Sequence, residues 1–297
     1  MHLGTVEHAG ALKVVAKIDE GRVLDLSDDY ADMVALVQAG PAALADIKTR
    51  LAAPDKVIAL ADAPLRCPIL PVQFRDCLVF EEHLKNSFLQ AEKLTGRPFE
   101  IPQVWYDQPI YYKGNRMSFI GPDQDVRWPA YADFLDVELE LAAIVGKRGC
   151  DIPLDEAPGY IWGYTILNDV SARDAQMVEM AGQLGPAKGK DFDTGNILGP
   201  WIVTADEIPH PAALAMEVSI NGQHWGGGNS ANMHHNFADI IAYVSKSETI
   251  YPGEVLGSGT VGTGCGLETG KQLADGDRFD LKIEKLGTLS NRIVKDK

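Results

Sequence analysis

The chain has 297 residues, 45% hydrophobic and 23% charged, the balance of a soluble globular protein with room for one large core and a smaller unit. Its 42 acidic against 27 basic residues leave a formal charge of −15, which repels nucleic acid and anionic membrane and demands local positive charge wherever an anionic substrate binds. No uncharged apolar run reaches the roughly 18 residues of a membrane span, MHLGTVEHAG has no leader pattern, and four scattered cysteines without a C-x-x-C pair give no zinc signature, so the expectation is a cytoplasmic protein with free thiols.

In chain order, residues 1–65 read as a small α+β unit. Strand-like VEHAGALKVVAKI and GRVLDL flank the turn DEG, and DYADMVALVQAGPAALADIKTRLAA runs from polar to helical. Three prolines in ADAPLRCPILPVQ mark a linker laid over the surface or a sheet edge, and the larger unit, residues 66–297, begins there. Phe80, Leu84 and Phe88 recur every four residues and predict a helix through about Leu94, stopped by Thr95-Gly96-Arg97-Pro98. Short strand-like runs follow: PIYYKG, RMSFIG, LDVELELAAIVG, GYIWGYTILND, GPWIVTAD, AMEVSING, EVLGSGTVG and RFDLKIEKLG. Two helices interrupt them, at SARDAQMVEMAG and NFADIIAYVSKS. Strands dominate without βαβ alternation, which predicts an α+β fold with a mixed, strongly curved sheet.

Several segments carry chemistry-bearing side chains. In DVELELAAIVG, strict alternation puts Asp136, Glu138 and Glu140 on one strand face and Val137, Leu139 and Leu141 on the other. A solvated face explains that pattern most simply, although like charges about 7 Å apart weaken a strand. In GYTILNDVSARDAQ, a helical turn after the strand would align Asp169, Arg173 and Gln176 at i, i+4 and i+7. Asp76 precedes His83 by seven residues, about two helical turns. Lys188 and Lys190 lie in a glycine-flanked loop. Taken singly, each of these reads as an ordinary surface feature. Gly257-Ser258-Gly259-Thr260-Val261-Gly262 matches G-x-G-x-x-G, but no helical period follows, so a dinucleotide site is rejected; Cys265 stands where a phosphate loop ending at Gly270-Lys271 would need its first glycine. His234-His235 has no matching ligand nearby and reads as loop.

Together, RDCLVFEEH, LDVELELAAIVGK, GYTILNDVSARDAQ, GKDFDTGNILGPWIV and YPGEVLGSGTVGTG occur in an order and spacing that resemble the fumarylacetoacetate hydrolase family, its fumarylacetoacetase-like branch in particular, over about Cys67 to Arg292. The resemblance implies a β-roll-type sheet with a small N-terminal α+β domain. It also implies carboxylate metal ligands at Asp76, Glu138, Glu140 and Asp169, a general base at His83, and carbonyl-polarising groups at Arg173, Gln176 and Lys190. Substrate contacts would fall on Tyr112 and Thr260, with Asp136 supporting the ligands or solvated. An all-carboxylate set suits Mg²⁺ or Mn²⁺, with Ca²⁺ as a further fit, rather than zinc. Four carboxylates around one divalent ion leave a formal −2, so Arg173 and Lys190 are needed to admit an anionic substrate.

The activity implied is that of a hydrolase acting on carbon–carbon bonds in ketonic substances, with an acylpyruvate or fumarylacetoacetate-like 1,3-dicarbonyl acid as substrate and a homodimer as the assembly. Dehydration, decarboxylation or isomerisation of 2-keto acids such as 2-keto-3-deoxy sugar acids is the alternative on the same scaffold. A non-catalytic metal-binding module would not need His83, Arg173 and Lys190 together. Two departures from the family bear on the site. Asn86 stands where the small acylpyruvate hydrolases carry the histidine's acidic partner, leaving Glu268 in GTVGTGCGLE as the nearest match, with Glu82 or no partner as alternatives. Lys113 and Asn115 alter the Tyr-His-Gly-Arg substrate contact around Tyr112.

Overall fold

A computed structural model of the chain describes residues 1–96 and 98–295; Arg97 of the expected helix stop and the last two residues of the 66–297 unit lie outside them. Among the described residues, twelve strands form the main sheet and five a second one, with antiparallel and parallel pairs mixed in both. The chain is α+β, and the main sheet follows an open path.

Three long strands lie side by side at its centre: Leu139–Val145, Ile161–Asp169 and Asn196–Thr204, every residue of them buried. Successive side chains point to opposite faces, so Leu139, Leu141 and Ala143 enter one apolar cluster, whereas Ala142, Ile144, Leu167 and Leu198 enter another. A sheet covered on both faces loses the polar alternation of a half-exposed one. The amino-terminal strand His2–His8 extends this sheet by pairing His2 with Val203 and Leu3 with Ile202.

The structure redraws several expected boundaries. VEHAGALKVVAKI is a hairpin, turned at Ala9 (φ +51°) and Gly10 (φ +77°), with strands His2–His8 and Ala11–Lys17. The proline-rich linker includes a short strand, Leu65–Arg66, paired with the amino-terminal strand. The expected helix from Phe80 spans Glu81–Thr95 and ends on Gly96 in the left-handed conformation, which glycine adopts without a side-chain clash. Strands Gln223–Asn229 and Gly287–Val294 of the second sheet were not expected, since HWGGGN lacks the β-branched residues that mark a strand. Trp162 and Trp201 are buried within the chain.

Gly163 marks the tightest approach between central strands, because a Cβ there would stand 2.6 Å from the Val203 carbonyl oxygen. Gly163→Ala should lower stability by about 1–3 kcal/mol through forced strand separation. Urea unfolding checks this, and an unchanged midpoint would contradict such close packing.

Candidate active site

Three of four adjacent strands deliver the acids. Phe74–Cys77 pairs with Val255–Gly257, which pairs with Leu139–Val145, which pairs with Ile161–Asp169. The two-residue repeat puts Asp76 on the face of Phe74, Glu140 on that of Ala142 and Ile144, and Asp169 on that of Leu167; these apolar residues share one cluster. Gly257 sits among them, where a Cβ would meet Asp76, Glu140 and Leu167. Its missing side chain leaves the gap into which the acids converge.

Carboxylate oxygens of Asp76, Glu140 and Asp169 lie within 4.8 Å of one another, and all three residues are buried. The Gly259 N–H donates to Glu140 Oε2 at 2.9 Å, and the Tyr112 hydroxyl donates to Asp169 Oδ2 at 2.6 Å. Asp76 Oδ1, Glu140 Oε1 and Asp169 Oδ1 have no hydrogen-bond partner. Burial, and then the neighbouring Asp169, holds the Asp76 carboxyl well above the usual range; burial and Asp76 do the same to Glu140. Burial also raises Asp169, with Lys190 opposing. Such a trio requires protons or a cation, and three bare oxygens fit a hard divalent ion such as Mg²⁺, Mn²⁺ or Ca²⁺.

Asp136 and Glu138 are compensated differently. The expected single alternating strand is broken: Asp136 ends the short strand Leu135–Asp136, and Glu138 makes only an isolated bridge to Cys265. Neither acid is solvated. Arg173 donates to Asp136 Oδ2 through Nε (3.0 Å) and Nη2 (2.8 Å), and through Nη1 to Glu138 Oε1 (2.6 Å) and Gln176 Oε1 (3.0 Å). Lys190 is buried in the short helix Ala187–Lys190, with its ammonium on Glu138 Oε2 and, at 2.7 Å, on Asp169 Oδ2; Lys188 is exposed. Burial alone would raise the Glu138 pKa, but Lys190 and Arg173 bring it down to about 2. Both Glu138 oxygens are thus committed to cations of the chain, and Glu138 stands beside the trio.

Asp169 does not share a helix with Arg173 and Gln176, contrary to the i, i+4, i+7 expectation. It ends a strand, Ser171–Ala172 pairs with Leu135–Asp136, and the helix begins only at Arg173. Thr260 is buried in the loop after Gly257, between Gly259 and Val261.

His83, in the first turn of Glu81–Thr95, directs Nδ1 to Glu268 Oε1 at 2.8 Å. A carboxylate only accepts, so in the neutral ring Nδ1 carries the proton and Nε2 the free lone pair. Asn86 Nδ2 (2.9 Å) and the Thr263 N–H (2.7 Å) hold Glu268 Oε2, leaving Oε1 for the histidine. Glu82, the alternative partner, packs against Gly262. His234 stacks on Trp105 with ring centroids 5.0 Å apart, and His235 leans on the same ring.

The family model for the fumarylacetoacetate (FAA) hydrolase C-terminal domain matches residues 74–294, most of the chain. The chain belongs to the fumarylacetoacetate hydrolase family. It is 31% identical over 265 residues to the mitochondrial oxaloacetate tautomerase FAHD2A of Homo sapiens, covering 88% of this chain and 79% of that protein. Its fold superposes on the fumarylacetoacetate hydrolase of Exiguobacterium antarcticum with a TM-score of 0.79 at 25% identity, and on a 5-carboxymethyl-2-hydroxymuconate delta-isomerase of Mycobacterium smegmatis with 0.75 at 25%. Each superposition covers the whole of both chains. Members of this family therefore include hydrolases, isomerases and a tautomerase.

Sequence reasoning did not find Gly257 or Cys265 as parts of the site. Gly257 was absorbed into a glycine motif, and Cys265 approaches His83 only through long-range folding. Asn86 was noticed for lacking a charge; its role as a donor to Glu268 depends on a residue 182 positions away.

The pH linkage has two opposite signs. Asp76 and Glu140 keep protons at pH values where unfolded carboxyls have released them, so their contribution stabilises the metal-free chain at low pH and is lost as pH rises through their raised pKa values. The Glu138 contribution is present above its ordinary 4.5 and is lost as pH falls towards about 2. Mg²⁺ or Mn²⁺ binding to stripped protein should accordingly release protons and tighten with rising pH. Titration calorimetry in buffers of different ionisation enthalpy counts those protons, and proton-neutral binding would contradict the trio as ligands.

Proposed function

We propose that the chain is a divalent-metal-dependent hydrolase that cleaves a carbon–carbon bond in a 1,3-dicarbonyl acid, an acylpyruvate or fumarylacetoacetate-like compound. The observation that carries this reading is the His83–Glu268 pair. A metal-binding module has no use for an oriented base with a free Nε2, and Asp136, gripped by the same Arg173 as Glu138, holds the loop that presents Glu268, which links the base to the acidic cluster.

Asp76, Glu140 and Asp169 would hold the cation, and Glu138 could join them once Lys190 releases it. When bound, the cation supplies Lewis-acid polarisation of the keto-acid oxygens. His83 Nε2 accepts a proton from water as the water oxygen attacks the distal carbonyl. Glu268 fixes the tautomer and stabilises the imidazolium. As the carbon–carbon bond breaks, its electron pair leaves with the pyruvate-side carbon, which takes the proton back from His83; the other fragment departs as a carboxylic acid. Lys190 faces the anionic substrate when it exchanges Glu138 for it, whereas Arg173 works through Glu138 and Gln176, which it positions.

Keto–enol isomerisation is the second reading, favoured by the names of the FAHD2A tautomerase and the Mycobacterium smegmatis isomerase. It needs only proton transfer at the carbon next to the carbonyl, without water addition. A panel of acylpyruvates, fumarylacetoacetate-like compounds, oxaloacetate and keto-deoxy sugar acids, assayed with Mg²⁺ and Mn²⁺, separates carbon–carbon cleavage from tautomer exchange, decarboxylation and water loss.

We further propose the two-unit division at residue 65, a cytoplasmic location in keeping with the free thiols, and a homodimer. No helix among the described residues is long and apolar enough to cross a membrane. Exposed Met177, Val178, Met180 and Leu184 offer an apolar surface for pairing. Sedimentation should give a dimer at micromolar concentration, and a monomer would count against it.

His83→Ala should keep the metal and lose about 10²–10⁴ in hydrolytic rate, the worth of general acid–base catalysis. Glu140→Ala should lose both metal and activity. Lys190→Ala should keep the metal but raise KM for the anionic substrate. Full carbon–carbon cleavage by His83→Ala, measured as pyruvate release, would remove the hydrolase reading.

A further inference from the structure

His83, Cys265 and Glu268 each offer a ligand atom, these atoms all lie within 4.8 Å of one another, and all three residues are buried. Cys265 Sγ is 3.4 Å from Glu268 Oε1, the same oxygen that faces His83 Nδ1 at 2.8 Å. Asn86 and the Thr263 N–H occupy the other oxygen, so Oε1 is aimed at the space between thiol and imidazole. The loop carrying the cysteine is pinned by the Gly266 N–H (2.7 Å) and Leu267 N–H (2.9 Å), both donating to Asp136.

We propose that His83, Cys265 and Glu268 form a second metal site, selective for Zn²⁺ and similar borderline-soft cations, whose occupation switches the enzyme off. The inference about inhibition rests on the reading of His83 as the base; the inference about binding does not. Tetrahedral zinc with bonds of about 2.0–2.3 Å sets its ligands roughly 3.3–3.8 Å apart, which the three side chains reach by small rotations. Sulfur and imidazole favour zinc over Mg²⁺, whereas the all-oxygen trio of Asp76, Glu140 and Asp169 has the opposite preference. Zinc displaces the thiol proton to solvent, so thiolate, carboxylate and neutral imidazole together balance the ion's two charges. Whichever ring nitrogen takes the zinc, the other then carries the proton, and none is left to accept one from water. Asn86 and Thr263 orient the carboxylate as groups outside the ligand set do at built metal sites.

The test uses the full chain saturated with Mg²⁺, so that the acidic trio is filled, and adds Zn²⁺ or Co²⁺. Expected are loss of turnover with Zn²⁺ and, with Co²⁺, a near-ultraviolet thiolate-to-cobalt charge-transfer band. Cys150→Ser, which alters an exposed thiol, should retain both effects. Cys265→Ser and Cys265→Ala should lose the zinc inhibition, scored against each variant's own Mg²⁺-supported turnover, and the cobalt band. X-ray absorption of zinc-loaded wild type should show one sulfur among nitrogen and oxygen ligands, a result independent of how the variants fold. An all-nitrogen-and-oxygen zinc shell, or a cobalt band surviving in both Cys265 variants, would overturn the proposal. A sulfur-ligated zinc in a protein that cleaves none of the dicarbonyl acids would instead sustain the site and remove the hydrolase reading.

Discussion

Repulsion among three buried carboxylates on one sheet face is the constraint around which the rest of the site is arranged. Two unit charges 4.8 Å apart, the spacing within which Asp76, Glu140 and Asp169 converge, repel by about 3–4 kcal/mol at an effective dielectric of about 20. Three such pairs approach the whole stability of a typical domain, about 5–15 kcal/mol. Lys190 relieves Asp169 alone, so Asp76 and Glu140 cannot both ionise without a further cation. Each acid comes from a different strand, and the strands are locked by antiparallel and parallel ladders buried on both faces, so the acids cannot swing apart to relieve the repulsion. The fold holds a charge problem that a divalent ion resolves.

Around that centre the chain uses a second means of compensation. Asp136 and Glu138 meet Arg173 and Lys190, two cations as deeply buried as the acids they face. Breaking such a pair by removing one partner leaves an uncompensated buried charge, so these residues are tied together as a unit. Asp136 also accepts from the Gly266 and Leu267 N–H groups and so fixes the loop that presents Glu268 to His83. Arg173 thus joins the acidic cluster to the base: it grips Asp136 on one side and Glu138 and Gln176 on the other.

The parts legible in the sequence were those governed by local periodicity. A four-residue apolar repeat marked the helix bearing His83, because that pattern follows directly from backbone geometry, whereas of the alternating acids only Glu140 lies in the strand Leu139–Val145. The α+β class followed from the absence of βαβ alternation. What escaped was set at long range. The alternation in DVELELA is the same whether its acids face water or a core, and only the neighbouring strands cover it. Glu138 carries the same motif label as Glu140, yet Arg173 and Lys190 reach one and leave the other bare. Glycine was hard to read for the same reason: Gly226–Gly228 hid a strand, and Gly257 hid the gap into which the three acids converge.

The account stands or falls on whether a hard divalent ion sits among Asp76, Glu140 and Asp169. A crystal structure of the full chain grown with Mn²⁺, with diffraction recorded at a wavelength where manganese scatters anomalously, locates the ion without reference to activity. The account requires a single strong anomalous peak bonded to oxygens of all three carboxylates, beside Gly257. A protein with no peak there, its three acids still converged and bare at neutral pH and saturating Mn²⁺, would contradict it.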